Sequence, residues 1–150
     1  MKAEGDLYIF YEADRLRRLG RLPPGAVFEW LNSALPVVGT AIDWTNVDGT
    51  HRHWFATSEV DVARVVAEVL ASLPAPSEQV LHEGDSLSPF PVTVTVGQLP
   101  SVIGALLEIP EHHYFVDAQH RWLAVFRTEG DVDLLIFDTL DISRDCAEDE

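Results

Sequence analysis

Apolar and polar residues alternate in short runs along the last third of the chain, and this pattern predicts antiparallel strands joined by turns. Three apolar runs lie there, at residues 114–116, 122–126 and 132–137. The segments between them, Asp117-Ala118-Gln119-His120 and Glu129-Gly130-Asp131, have turn compositions. We therefore expect a three-stranded antiparallel meander within residues 109–138.

Apolar residues at helical spacing predict helices earlier in the chain. The most regular stripe consists of Val62, Val66, Val69 and Leu73, and it follows Ser58-Glu59-Val60-Asp61, which has the form of a capping box. Further helices are predicted at residues 7–19, 26–35 and 99–107. Residues 7–11 alone would also suit a strand.

Turn signals predict a hairpin in the first half of the chain. Residues 37–45 and 51–57 flank Asn46-Val47-Asp48-Gly49, and an Asp-Gly pair is a strong hairpin signal. This hairpin would bring Trp44 and Trp54 close to each other across the two strands.

The remaining segments predict one more strand, a long connection and a frayed C-terminal tail. Threonines alternate with valines at residues 92–96, as in a half-buried strand. Residues 74–91 contain four prolines and three serines, so they predict a long loop or flap with at most a brief strand at residues 79–82. Residues 139–150 predict an acidic, frayed tail.

These elements together predict the α+β class, with helices packed on an antiparallel sheet. A length of 150 residues suits a single domain spanning the whole chain, and 47% hydrophobic residues are enough for a core.

The net charge of −15 is the strongest feature of the composition. Residues 1–21 contain five basic and four acidic side chains, whereas the rest contains five basic and 21 acidic ones. Such a body repels nucleic acids and anionic membranes and attracts basic partners. Solubility alone would also account for the charge.

The sequence gives no sign of export or membrane insertion, and we expect a cytoplasmic protein. Charged residues interrupt the N-terminal apolar residues, so neither a signal peptide nor a membrane helix is indicated. Cys146 is the only cysteine, so no disulfide can form within the chain.

No recognised catalytic motif is present, and we expect neither an enzyme nor a cofactor. Nucleophile elbows, phosphate-binding glycine loops and dinucleotide fingerprints are absent from the sequence. His51 and His53 would point to the same face of a strand. A small enzyme-like domain that binds a metal or another ligand on this face, with residues 74–91 as a lid, is therefore one alternative. A structural or assembly subunit is a second alternative.

Tryptophans beside carboxylates are typical of an interface for a basic protein, since aromatic anchors supply contact area and charges supply orientation. The candidates for this role in the predicted hairpin are Asp43, Trp44, Asp48 and Trp54.

The C-terminal third also resembles a known group of proteins. The resemblance rests on three features: Glu111-His112-His113-Tyr114-Phe115-Val116-Asp117, Trp122 four residues past Ala118, and Thr128-Glu129-Gly130-Asp131-Val132. This segment looks like the closing part of bacterial immunity proteins from contact-dependent inhibition and other polymorphic toxin systems. The resemblance covers residues 99–137, and one departure is that no glycine ends the last strand at Leu134-Leu135-Ile136-Phe137.

The resemblance implies a small, acidic, cytosolic α+β protein that neutralises a cognate toxin by binding it. It carries over no catalytic residues. We accordingly predict stoichiometric binding of a toxin domain with a basic surface. We expect this chain to bind no nucleic acid, membrane or metal, and the sequence does not determine its oligomeric state. The meander carboxylates that we expect to contact this partner are Glu111, Asp117, Glu129, Asp131 and Asp133.

Overall fold

The computed structural model of the protein describes residues 19–38, 41–74, 79–88 and 90–137. Within these ranges the chain forms nine strands, three α-helices and a short 3-10 turn at Trp44–Asn46. The strands are β1 (Gly20–Arg21), β2 (Val37–Val38), β3 (Ala41–Ile42), β4 (Thr50–Phe55), β5 (Gln79–Gly84), β6 (Val92–Thr95), β7 (His113–Asp117), β8 (Trp122–Phe126) and β9 (Asp131–Ile136). The helices are α1 (Phe28–Ala34), α2 (Glu59–Ser72) and α3 (Leu99–Leu107).

Seven of these strands form one antiparallel sheet in the order β1-β6-β5-β7-β8-β9-β4, and β2 pairs with β3 in a separate two-stranded sheet. Helices lie on the larger sheet, so the predicted α+β class is confirmed. The strand β4 is one edge of the sheet among the described strands, although it comes early in the chain.

Both faces of the sheet are covered. On one side, which we call the α2/α3 face, Val65 of α2 and Val102 of α3 belong to the same buried cluster as Phe115. On the other side, the α1 face, Leu31 of α1 packs with Tyr114 and the rest of a second cluster. Because consecutive strand residues point to opposite faces, this two-sided cover buries every residue of β7 and β8.

The predicted meander is confirmed as β7, β8 and β9, which lie next to one another and pair antiparallel. Two of its pairs, Tyr114 with Val125 and Phe115 with Ala124, show how neighbouring residues supply the two clusters. Its left-handed residues are His120 and Gly130, both in the turns between strands. Local turn chemistry therefore shapes this part of the sheet.

The predicted helices within the described residues are confirmed. The Ser58 hydroxyl accepts a hydrogen bond from the Asp61 amide at 3.1 Å and caps α2, as the sequence predicts. Pro100 lies in the first turn of α3, where its missing amide costs nothing. Helix α1 has no side-chain cap of its own and is instead held by Glu83 of β5, whose carboxylate accepts from the amides of Val27 and Phe28 at 2.9 and 3.1 Å.

The predicted hairpin of residues 37–45 and 51–57 is wrong. Strand β4 pairs with β9, whereas β2 and β3 pair only with each other among the strands that the structure describes. Trp44 packs with the cluster on the α1 face and Trp54 with the cluster on the α2/α3 face, so the two tryptophans are separated by the sheet. The chain does turn around Gly49, but this turn connects the 3-10 segment Trp44–Asn46 to the edge strand β4.

The prediction of one long loop at residues 74–91 needs correction in its middle part. The brief strand expected at residues 79–82 extends to Gly84 and, as β5, pairs with β6 on one side and β7 on the other. A strand inside the sheet cannot act as a lid.

Several predictions fall outside the described residues. These are the helix predicted at residues 7–19, except for its buried residue Leu19, and the strand alternative at residues 7–11. The acidic tail predicted at residues 139–150, with Cys146, also lies outside them. Among the residues that the structure describes, no helix is long and apolar enough to cross a membrane.

Candidate functional site

Two aromatic rings lie in parallel at the start of the edge strand β4. The ring centroids of Trp44 and His51 are 4.7 Å apart with an interplanar angle of 8°. His51 Nε2 is 2.7 Å from Asp133 Oδ1, and the Asp133 side chain is nearly buried. The strand pairing of β4 with β9 thus fixes the histidine, and the histidine fixes the half-buried tryptophan above it.

The next residues on the same face of β4 continue this surface outward. His53 Nε2 is 2.9 Å from Asp131 Oδ1, and both side chains remain accessible to solvent. Beyond them Phe55 is 56% exposed, which makes it one of the three exposed large hydrophobic side chains in the described part of the chain. An exposed aromatic ring beside carboxylates can anchor a protein partner.

Two carboxylates lie before β4, near its first residue. Asp43 caps the 3-10 turn, accepting from the hydroxyl of Thr45 at 2.7 Å and from the side-chain amide of Asn46 at 2.6 Å. These side-chain hydrogen bonds, that of Thr45 first, lower the pKa of Asp43 and hold it as an anion. Asp48 is exposed in the following turn.

We call this set the β4 surface: Asp43, Trp44, Asp48, His51, His53, Phe55, Asp131 and Asp133. It combines five of the residues predicted for the partner surface with two histidines and Phe55. Sequence reasoning missed Phe55 because its partners come from β9, and a local pattern gives no sign of which aromatic residue stays uncovered.

Trp54 belongs to the opposite face. Its indole Nε1–H donates to Glu68 of α2 at 2.7 Å, and the Arg52 guanidinium lies 4.6 Å from its ring centroid. The hydrogen bond from Trp54, followed by that from Arg64, lowers the pKa of Glu68. Trp54 therefore joins β4 to α2 and is separated by the sheet from Trp44.

Glu111 is not a surface carboxylate, contrary to the expectation for a turn residue. Its side chain is buried and accepts hydrogen bonds from the amides of Ser86, Leu87 and Ser88 and from the Ser88 hydroxyl. Glu111 thus holds the loop after β5 against the start of β7. A Cβ on Gly84 would overlap the Glu111 carboxylate, which explains the glycine there.

Asp117 and Asp133 are also buried, so three of the five meander carboxylates predicted to contact the partner do not lie on the surface. Asp117 Oδ2 accepts from the amide and the Nε–H of Arg121 at 3.1 and 2.9 Å, while its Oδ1 has no partner among the described residues. Glu129 is exposed and Asp131 is partly exposed.

The predicted partner residues do not converge on one end of the sheet. Glu111, Glu129 and Asp131 lie near the start of β7 and the turn from β8 to β9. Asp117 is the last residue of β7, at the far end of that strand and beside the start of β8. Asp43 and Asp48 precede Thr50, which pairs with Ile136 at that far end. The two groups are connected along the edge by β4.

Two histidines that the sequence did not single out as a pair lie together in the core. His82 of β5 and His113 of β7 are both almost fully buried, and their rings are 5.1 Å apart. Burial lowers the pKa of each, for His82 well below its usual value. Their separation of 31 positions in the sequence hides this pairing from local pattern analysis.

A cavity of about 430 Å³ opens on the α2/α3 face near the turn from β8 to β9. Its walls include Val62 and Val65 of α2, Ile109 after α3, and Phe126. Its polar wall residues include Glu108, Glu111, Arg127 and Glu129. This volume lies in the range of small-molecule sites, and the cavity is on the side of the sheet opposite the histidines of β4.

No three histidine, cysteine, aspartate or glutamate side chains converge to hold a metal ion in the part of the chain that the structure describes. His51 and His53 each face one aspartate of β9. Each imidazole thus has one ring nitrogen within hydrogen-bond distance of a carboxylate oxygen.

Comparison with known proteins gives no family for this chain. A scan against protein-family models found no match, and a search of curated proteins found none either.

Proposed function

We propose that this chain is an immunity-type binding protein that neutralises a cognate toxin domain with a basic surface by forming a stoichiometric complex. The observation that carries the proposal is the β4 surface, where exposed Phe55 and the Trp44–His51 stack lie among four carboxylates along one edge of the sheet. The resemblance of residues 99–137 to immunity proteins points in the same direction.

Charge supports a basic protein as the partner. The chain carries −15 overall, and Asp43, Asp48 and Asp131 keep solvent-accessible carboxylates at both ends of β4. Such a field speeds the approach of a cationic surface and opposes nucleic acids. In the proposed complex these carboxylates pair with the basic side chains of the toxin surface.

The anchoring groups of the surface are already ordered. His51 and Asp133 hold the half-buried Trp44, so little side-chain entropy is lost there when a partner docks. Phe55 offers apolar area that the described residues leave exposed. We propose no catalysis by the chain itself and a cytoplasmic site of action.

The binding experiment uses the C-terminal domain of the protein encoded immediately upstream as partner. We expect the association rate to fall by about tenfold or more between roughly 0.05 and 0.5 M salt, because screening removes electrostatic steering. Asp48→Lys should slow association, whereas Glu108→Lys, an equal charge change at an exposed site off the β4 surface, should slow it much less. Salt-independent association would contradict the proposal, and so would equal effects of the two variants.

The cavity supports a second candidate, a small-molecule-binding domain. Val62→Phe would fill part of the cavity without changing the β4 surface. Under the first proposal this variant binds the toxin domain like the wild type and Asp48→Lys does not. A thermal-shift response to a small-molecule library that Val62→Phe abolishes and Asp48→Lys retains would favour the small-molecule function. A stoichiometric transition metal in purified protein would favour the metal-binding alternative.

A further inference from the structure

The outer side of β4 carries backbone groups without a described strand partner. The Ala56 amide donates to the Gly130 carbonyl at 2.9 Å and continues the ladder between β4 and β9. In an antiparallel ladder, backbone groups of alternate residues point to the same neighbour. The N–H and C=O groups of Arg52 and Trp54 therefore point to β9, and those of His51, His53 and Phe55 point away from the sheet.

This edge is open to solvent. All residues of β4 except Trp54 are exposed, and the six-residue strand contains no proline. Natural sheet edges are usually blunted by proline, bulges or covering segments, because an open ladder pairs readily with another extended chain. Because this open edge belongs to the β4 surface, the partner of that surface can pair with the edge as an additional strand.

We propose that the partner docks by adding an extended, basic strand to the outer edge of β4. The backbone of this strand would pair with the N–H and C=O groups of His51, His53 and Phe55. Its alternate side chains would lie on the α1 face, against the Phe55 ring and the carboxylates at the two ends of β4. Strand addition supplies affinity through the backbone and specificity through alternate side chains.

The charges around the edge select this occupant over a second copy of the chain. Asp43 and Asp48 lie before β4, and Asp131 lies beside His53 near its end. Two copies pairing edge to edge would bring these carboxylates together on proteins that each carry −15. Lysine or arginine side chains of an extended segment would instead meet an opposite charge at each end.

The test uses a synthetic peptide of alternating lysine and threonine, about eight residues long, so that it spans the six residues of β4. Backbone amide exchange of the wild-type protein is followed by NMR. We expect the amides of His51, His53 and Phe55 to exchange at least about tenfold more slowly at saturating peptide, with Arg52 and Trp54 unchanged. A peptide with glutamate in place of lysine should give no protection.

Two variants at one position separate backbone pairing from side-chain contact. His53→Pro removes an amide that points away from β9, so it should keep the fold and lose the peptide. His53→Val keeps that amide, loses only the imidazole, and should retain most of the binding.

Three outcomes would overturn the proposal: no protection by the lysine peptide, equal binding by the same peptide with every backbone amide N-methylated, or protection that appears without peptide as protein concentration rises. If His53→Pro does not fold, the exchange data on the wild type still decide. The inference rests on the proposed function only for the charge of the partner. A toxin that binds without slowing exchange at these amides would leave the proposed function standing and remove strand addition.

Discussion

His82 Nε2 lies 2.8 Å from His113 Nδ1 in the core, on the α2/α3 face of the sheet beside Phe115. His113 Nε2 is 2.8 Å from the carbonyl oxygen of Ile109, which can only accept, so His113 carries its proton on Nε2. His113 Nδ1 then accepts from the Nε2–H of His82. The Nδ1 of His82 is left buried, unprotonated and without a described partner.

This arrangement predicts that acid destabilises the fold. Burial lowers the pKa of both histidines in the folded state, so between the folded values and the unfolded value of about 6.5 the unfolded chain binds more protons. The free energy of unfolding is therefore highest above about pH 6.5 as far as these histidines are concerned. As the pH falls below about 6.5, it decreases by up to about 1.4 kcal/mol per pH unit for each histidine. Urea unfolding between pH 5 and pH 8 measures it.

The control is His82→Phe, since Phe115 already lies 4.8 Å from the His82 ring and an aromatic replacement fits the site. Its unfolding free energy should depend less steeply on pH than that of the wild type. An unchanged pH profile in the variant would show that the pair does not titrate as described.

A second prediction concerns the buried carboxylate of Glu111. Replacing it with alanine leaves several amides of residues 86–88 without their acceptor, so we expect a loss of about 2–4 kcal/mol of stability in urea unfolding. Glu108→Ala, at an exposed position three residues earlier, should change stability by less than about 0.5 kcal/mol. Similar losses in the two variants would be the contrary result.

The contact of Gly84 with Glu111 allows a double-mutant cycle. Gly84→Ala should destabilise the wild type, because the new Cβ overlaps the carboxylate. The same substitution should cost less in the Glu111→Ala background, where the overlapping atoms are gone. Additive losses would place the strain elsewhere than at the carboxylate.

A third prediction separates binding from stability on the β4 surface. Phe55→Ala should weaken binding of the toxin domain by about tenfold to a hundredfold, because an exposed aromatic anchor is lost, and should change stability by less than about 0.5 kcal/mol. Calorimetric titration and urea unfolding measure the two effects. Val60→Ala, at an 82% exposed residue at the start of α2, is the matched control and should leave the affinity unchanged. Equal affinities of the two variants would remove Phe55 from the interface.

Much of the fold could be predicted from local patterns. The meander follows from apolar runs separated by turn residues, and helix α2 follows from its stripe and the Ser58 cap. The sequence also predicts a strand at the position of β4, but it does not predict that this strand pairs with β9. A turn signal at Asp48-Gly49 indicates a bend and does not say which strand the chain joins after it, so the pairing with β9 required the tertiary structure.

The candidate site could be predicted only in part, for the same physical reason. Glu111 and Asp117 lie in polar turns and look solvated in the sequence, yet Glu111 is buried because the amides of residues 86–88 supply its hydrogen bonds from a distant segment. Asp43, Trp44 and Asp48 stay together because they are close in sequence. Phe55 and the histidine pair depend on which strands become neighbours.

The central claim, neutralisation by binding, is tested most directly by growth. Bacteria are made to express the C-terminal domain of the protein encoded immediately upstream, alone or together with this chain. The account predicts that the domain alone arrests growth and that co-expression of the wild-type chain restores it, with Asp48→Lys restoring it less well than Glu108→Lys. Growth that is unaffected by the domain, or an arrest that this chain does not relieve, would contradict the account.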